Sequence, residues 1–337
     1  MTMGEGTRKT VLVTGGAGYI GSHTCKRLAE AGYLPVAFDN LSTGHADAVR
    51  WGPLVRGDTR DSAAVADAIR AHAPVAVIHF AAAAYVGESV RDPGFYYSNN
   101  VEGMRGLLTA CAEQGLGQVI FSSSCATYGV PADLPITEST PQNPINPYGR
   151  TKLIGEWMLA DFARAHGIRY VAPRYFNACG ADPDGTLCER HDPETHLVPL
   201  ALFAADGRRP RLDLFGTDYP TPDGTCIRDY IHVCDLAEGH LAALRYLEGG
   251  GDSMAVNLGT GTGHSNREVL AAVGRVLGRP VPVNEAARRE GDPPALVADP
   301  SRAREVLGFA ARYGDLDEIV AHAARAFGMK HGDDGTP

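Results

Sequence analysis

No run of eighteen apolar residues occurs in this 337-residue sequence, no two of its seven cysteines have C-x-x-C spacing, and its net charge is not positive. The first absence argues against a membrane-spanning helix, which needs about 20 such residues. The apolar run nearest the start, "VLVTGGAGYIG", is short and broken by glycine, so it makes neither a signal-peptide core nor a span. Cys25, Cys111, Cys125, Cys179, Cys188, Cys226 and Cys234 are odd in number and scattered. They fit reduced thiols in a cytoplasmic protein better than a disulfide or zinc framework. A formal charge of -9 argues against a nonspecific nucleic-acid binder. An anionic ligand would need local arginines, lysines or helix N-termini to overcome that background. The histidines, including His23, His79, His191, His196 and His232, are read as dispersed and without ligand spacing, so no metal is expected. Internal repeats and low-complexity tracts are missing too.

What is present is an alternation. "TVLVT" (10–14), "LPVAFD" (34–39), "GPLVRGD" (52–58), "VAVIHFA" (75–81), "QVIFSSS" (118–124) and "RYVAPRYF" (169–176) read as strands. The stretches between them place apolar residues at helical spacing. Strands apolar on both faces, alternating with helices, predict a parallel sheet covered on both sides. After residue 177 the sequence turns rich in Gly, Pro and Asp, with long loops and helices expected at 195–206, 235–247, 265–277 and 314–327. The fold class is therefore α/β: a Rossmann-type doubly wound sheet over 9–176 and a smaller α/β lobe over 177–330, between which the chain is free to cross more than once. Residues 1–8 and 331–337 are expected to be flexible tails.

In "TVLVTGGAGYIGSH" a strand, a glycine turn and a helix follow one another. Gly15, Gly18 and Gly21 form G-x-x-G-x-x-G, and Gly16, Gly18 and Gly21 also form G-x-G-x-x-G. Lacking Cβ atoms, such a turn lets the backbone approach a pyrophosphate, while the helix N-terminus offers that anion free N–H groups. Asp39 ends the next strand, near the spacing of about 20 residues at which a carboxylate meets an adenine ribose. No arginine stands beside it to receive a 2′-phosphate, which favours NAD over NADP. Asp58, at the next strand end, either faces the adenine or caps a helix.

"INPYGRTKLIGE" places Tyr148 and Lys152 at i and i+4 on an expected helix start, one turn apart on one face. A hydroxyl at Ser124, ending the fifth strand, adds a third member on the carboxyl edge of the sheet, where open α/β sheets bind ligands. A lysine about 5 Å from a phenol, at an effective dielectric of about 20, favours phenolate by roughly 3 kcal/mol, or about two pK units. A nicotinamide cation acts in the same direction. Together they suit a tyrosine that takes a hydroxyl proton while the carbon gives up hydride.

With "VTGGAGYIGSH", "HFAAAAYVGES", "SSSCATYG", "NPYGRTKL", "DGTCIRDYIHV", "NLGTGTG" and "RREGDPPALVADPSRA", the sequence resembles the extended short-chain dehydrogenase/reductases from nearly end to end, and among them the UDP-glucose 4-epimerase group. The resemblance implies that Tyr19, Ile20, Asp39, Asn40, Asp58, Phe80, Ala81, Asn99, Ser124, Tyr148, Lys152 and Phe176 line an NAD site. It implies that Asn177, Arg228, Arg289 and Asp292 face a UDP-sugar, with His196 and Leu197 close by and Leu296 flanking the sugar. It also implies a homodimer joined through "NNVEGMRGLLTACAEQ" and "YGRTKLIGEWMLADFA". The implied chemistry is removal of the 4-OH proton by Tyr148, a transient 4-keto sugar, and return of hydride to its other face.

Two departures refine this. Related dehydratases carry an Asp–Glu pair after the Ser/Thr, whereas Ser124 is followed by Cys125 and Ala126, which disfavours dehydration. Some epimerases have lysine where Ala84 stands, so a charge near the cofactor phosphates is missing here. The sequence leaves open interconversion of UDP-xylose and UDP-arabinose, and, from another class, a non-catalytic NAD sensor. Retention of all three of Ser124, Tyr148 and Lys152 argues against the sensor.

Overall fold

The structure, a computed structural model, describes residues 8–289 and 292–329, so the expected tails fall almost wholly outside it. The first half forms β1 (Thr10–Thr14), β2 (Leu34–Asp39), β3 (Leu54–Arg56), β4 (Ala76–His79), β5 (Gln118–Phe121), β6 (Ser123–Ser124) and β7 (Arg169–Tyr175). The second half adds β8 (Asn177–Cys179), β9 (Leu212–Phe215), β10 (Ile227–His232), β11 (Met254–Leu258), β12 (Gly263–Ser265), β13 (Val283–Ala286) and β14 (Ala295–Leu296).

The main sheet runs β11-β7-β5-β4-β1-β2-β3, with β6 also on β7, and every pairing in it is parallel. Side chains alternate across it as strand geometry demands. Val11, Val13 and Ile78 pack with residues of the helices Tyr19–Glu30 and Val233–Glu248. Leu12, Val36, Phe38 and Val77 face the helices Ser62–His72, Gly103–Gln114 and Pro147–His166 on the opposite side. Each fully buried side chain of this size contributes about 1.5–3 kcal/mol. The sheet therefore needs both helical layers.

The second half does not stand apart from that sheet. Residues 233–258 cross back, supplying a helix that packs beside Tyr19–Glu30 and then β11, the strand beyond β7. A border at 176 would split this sheet, because its final strand comes from beyond it. The expected helices appear as Leu197–Ala205, Val233–Glu248, Asn266–Leu277 and Leu316–Ala326. All but the second pack around a third core that includes Val198, Leu202, Val273 and Ile319.

Two expected strands are shorter than their apolar runs. Of 52–58 only Leu54–Arg56 is strand, bracketed by ladder bonds to β2 from Ala37 N–H to Pro53 O and from Gly57 N–H to Asp39 O. The run 118–124 breaks at Ser122, whose carbonyl accepts a hydrogen bond from Lys152 Nζ at 2.7 Å.

β7 passes through Phe176 directly into β8, which pairs in parallel with β10. β10 is also flanked by β12 and β14. This small second sheet thus starts where the main sheet's carboxyl edge ends, so residues on β8, β10 and β14 approach the same cleft.

Candidate active site

Because the main strands are all parallel, their carboxyl ends lie along one edge, and the loops that leave them build the site. The first is the glycine turn. Gly15 has φ +73°, and a Cβ there would lie 2.6 Å from Ala81 N. A Cβ on Gly21 would lie 2.1 Å from Gly15 O. Neither position admits a side chain. Gly18 precedes the helix Tyr19–Glu30, and no side chain caps that helix. Its first N–H groups and positive dipole end are therefore available to an anion.

Asp39 ends β2 and is buried; its two oxygens accept N–H from Ala17 at 3.0 Å and Leu41 at 2.8 Å. Each carboxylate oxygen has two acceptor directions, so one on each stays available to a ribose diol. Asp58 is not the helix cap, a place taken by Asp61. It instead binds the Arg60 guanidinium at 2.7 and 2.9 Å and Asn40 Nδ2 at 3.0 Å. The Arg60 hydrogen bonds, outweighing partial burial, hold its carboxyl well below the usual range.

Phe80 and Ala81 follow β4 and give their N–H groups to Thr14 O, which fixes the loop behind the glycine turn. Asn99 lies in a π-helical turn, Tyr97–Glu102, where the helical ladder is widened by one residue; such turns recur at functional sites. The neighbouring Asn100 accepts Ala83 N–H at 2.8 Å and donates to Ala83 O and Thr151 Oγ1, both at 3.0 Å. It ties the loop after β4 to the helix Pro147–His166.

That helix starts where the sequence demands it. Asn146 caps it by accepting Gly149 N–H at 2.8 Å, Pro147 occupies the first turn, and Gly167 ends it at φ +69°. Tyr148 and Lys152 both fall on its buried face. Lys152 Nζ lies 5.8 Å from the Tyr148 ring centroid. Ser124 is buried on β6, close enough to the Tyr148 phenol to pull its pKa down. The three groups that the sequence singled out therefore converge.

Their electrostatics differ from the expectation of a phenol acidified by Lys152. With the protein's own groups alone, burial pushes the Tyr148 phenol up, and Tyr175 adds to this. Burial also lowers Lys152 to about 7, which weakens the cation that was to act on the phenol. Tyr175 was missed by sequence reasoning. It ends β7 and shares a 2.6 Å hydrogen bond with Ser122, the residue whose carbonyl holds Lys152.

On the second sheet, Arg228 is buried in mid-β10, hydrogen-bonds Ile227 O at 2.8 Å and pairs with Asp292. A guanidinium has five N–H donors, so this pairing orients Arg228 without exhausting it. Asn177 is in register with Tyr230, and Leu296 with Arg228. Leu296 is buried in a cluster with Cys125, Tyr128, Ile136, Phe176 and Ala298. Arg289 is exposed and stacks over Phe215 at 4.2 Å. It does not join Arg228 in a buried cluster.

His196 immediately precedes the helix that begins at Leu197. The reading of the histidines as dispersed fails here. His191 and His196 both direct Nδ1 at Glu189 and Glu194. Burial opposes charge on both rings, yet the two carboxylates raise His191 to about 9 and His196 to about 10. The spacing Glu-x-His-x-x-Glu-x-His was visible in the sequence, but scattered histidines elsewhere masked it.

A parallel sheet with a side-chain-free glycine turn, an uncapped helix N-terminus and a carboxylate at the end of β2 defines a Rossmann-type dinucleotide-binding fold. A model of the NAD dependent epimerase/dehydratase family matches residues 11–259. The UDP-glucose 4-epimerase of Rhizobium leguminosarum bv. trifolii is 55% identical over 315 residues, which cover 94% of this chain and 96% of that protein. The crystal structure of UDP-glucose 4-epimerase from Brucella ovis in complex with NAD is 62% identical with a TM-score of 0.94, covering 96% of this chain and 99% of that one. That of the UDP-glucose 4-epimerase from Stenotrophomonas maltophila, with bound NAD and formylated UDP-arabinopyranose, is 39% identical with a TM-score of 0.91, covering 95% and 98%. The chain belongs to the NAD dependent epimerase/dehydratase family and, within it, to the UDP-glucose 4-epimerases.

Proposed function

We propose that this chain is an isomerase that interconverts UDP-glucose and UDP-galactose through a 4-keto sugar, with NAD as resident cofactor. The observation that carries the reading is the meeting of Ser124, Tyr148 and Lys152 on the sheet edge that also holds the glycine turn. The turn fits a dinucleotide: Gly15 and Gly21 exclude side chains from the floor, while the Tyr19–Glu30 helix presents free N–H groups. Asp39 keeps acceptor capacity for a ribose. NAD, when bound, supplies the acceptor that takes hydride from C4 and returns it.

Tyr148 is the base for the 4-OH proton, and Ser124 lies beside the same phenol. Lys152, locked on Ser122 O, fixes the direction of the positive charge beneath that phenol. The buried phenol is a poor base until another cation lies beside it, so proton removal is confined to the loaded site. Arg228, oriented by Asp292, and the exposed Arg289 suit the two phosphates of UDP. With the nucleotide anchoring the substrate, the sugar is left free to turn. The two-lobed division of roles, with cofactor on the main sheet and UDP-sugar toward β8, β10 and β14, belongs to this reading.

A pentose reading has its own support. The Stenotrophomonas maltophila relative holds a formylated UDP-arabinopyranose, and a hexose site accepts a sugar lacking the C6 group with a loss of roughly 1–3 kcal/mol. We also place the enzyme in the cytoplasm; among the described residues no helix is long and apolar enough to cross a membrane. We propose a homodimer in which Gly103–Gln114 and Pro147–His166, packed side by side, meet their counterparts. Trp157 on the second of them is 60% exposed.

The test is the purified chain with UDP-galactose and no added NAD, coupled to UDP-glucose dehydrogenase. Epimerisation yields NADH absorbance from the coupling enzyme's own NAD, supplied after the first reaction is quenched. A silent reaction, with NAD bound, is the result for a sensor and overturns the proposal. UDP-xylose and the N-acetyl pair in the same assay set the sugar preference.

A further inference from the structure

The loop between β8 and the helix Leu197–Ala205 carries four side chains that nothing in the epimerase reading uses together. Glu189, His191, Glu194 and His196 each contribute one donor atom, and these atoms all lie within 4.8 Å of one another. His196 Nδ1 is 2.8 Å from Glu189 Oε1 and 2.9 Å from Glu194 Oε1. His191 Nδ1 is 3.2 Å from Glu189 Oε1 and 3.5 Å from Glu194 Oε2.

We propose that Glu189, His191, Glu194 and His196 form a four-coordinate site for a divalent transition-metal ion, with zinc the best match. Ligands at tetrahedral corners about 2.0–2.1 Å from zinc are about 3.3 Å from each other, and the four donor atoms, all within 4.8 Å of one another, need only small side-chain shifts to reach that spacing. Two imidazole nitrogens with two carboxylate oxygens is a donor set zinc accepts. His191 Nδ1 is buried, and its contacts with the two carboxylates lack hydrogen-bond geometry, which leaves its lone pair free to turn to a metal ion. Glu189 is only 4% exposed, and a divalent ion would take the place of the protons that the two imidazoles otherwise hold against the carboxylates.

The surroundings support a closed, structural site rather than a catalytic one. The Tyr19 and Tyr85 rings meet His191 edge-on, at 6.2 and 5.7 Å between centroids. Tyr19 is in turn fixed by a 2.6 Å hydrogen bond to Gly180 O. With four protein ligands no coordination position is left for substrate, so the ion contributes no Lewis acidity. It locks the loop that leads into Leu197 and, through Tyr19, couples that loop to the start of the nucleotide-binding helix. Metal occupancy should therefore change the KM for UDP-sugar more than kcat.

The test does not need the epimerase reading. The full chain, treated with a chelator and desalted, is titrated with zinc chloride against a chromophoric competitor. One zinc per chain is expected, with a rise in melting temperature. Stoichiometric binding should be lost in His191→Ala and in Glu194→Gln and kept in Cys188→Ser, the neighbouring thiol. Cobalt chloride added to the unmutated chain should give the intense visible bands of four-coordinate cobalt, a readout independent of how the variants fold. Failure of the unmutated chain to bind zinc, the weak spectrum of six-coordinate cobalt, or binding retained in both ligand variants overturns the proposal. The four side chains would then be an ion-paired cluster and nothing more.

Discussion

Replacing Lys152 by methionine tests the proton-transfer arrangement most directly, because the side chain stays unbranched and one atom shorter while losing its charge and donor. The ammonium lies 5.8 Å from the Tyr148 ring centroid. At about 6 Å and an effective dielectric of about 20, a cation favours phenolate by roughly 2.8 kcal/mol, about two pK units. With Tyr148 as base, and Lys152 at about 7 only partly charged near neutrality, the loss should lower kcat by up to about 100-fold at neutral pH, with partial recovery as pH rises toward the new phenol pKa. The KM for UDP-galactose should change little, since Lys152 donates to Ser122 O and is buried beneath the phenol. Leaving that carbonyl unpaired costs about 1–3 kcal/mol of stability, which thermal melting measures separately. The decisive comparison is the double variant. Tyr148→Phe with Lys152→Met should be no slower than Tyr148→Phe alone, because the lysine acts only through the phenol. A Lys152→Met enzyme with near-normal kcat, or a double variant in which the two losses multiply, refutes the reasoning.

The other expectations are narrower. Burial lowers Lys152 from 10.5 to about 7 in the folded chain, so between those values the unfolded chain holds a proton that the folded chain has released. Stability of nucleotide-stripped protein should gain a contribution from this group as pH rises through that window, and urea unfolding at two pH values inside it should show a smaller slope in Lys152→Met. Arg174 and Glu156 form a buried bidentate pair at 2.6 and 2.9 Å, joined by Ser123 at 2.5 Å; Glu156→Ala should cost about 3–5 kcal/mol by urea unfolding. Asp39→Asn should weaken NAD binding about 10–100-fold by fluorescence titration, the range for lost hydrogen bonds to a charged group. Ala84 is exposed on the loop after β4. Ala84→Lys should tighten NAD about 2–5-fold, an effect that added salt erases.

The glycine turn, Asp39 and the Tyr148–Lys152 helix were legible because each is specified locally: no other residue tolerates the Gly15 and Gly21 geometry, and Asn146-Pro147 announces the helix. The parallel sheet and its two helical layers followed from period and apolarity, whereas the strand order did not. Less was readable where a residue's neighbour is distant in sequence. Tyr175 and Ser122 meet only after β5 and β7 pair, and their burial is what sets the phenol and the ammonium against the simple Coulomb expectation. Leu296, expected to flank the sugar, packs in a cluster with Phe176 and Cys125, neighbours far from it in sequence. The Glu189–His196 set was local and still missed, because four donors count only once a loop folds them toward one point.

β11 lies on the main sheet beyond β7, and the helix Val233–Glu248 that leads to it packs against the first helix. A ribosome that has delivered residues 1–176 has therefore released a sheet whose β7 edge is bare, and an unpaired apolar edge is an invitation to neighbouring chains. Truncations ending before residue 258, which remove β11 from the sheet, should precipitate rather than bind cofactor.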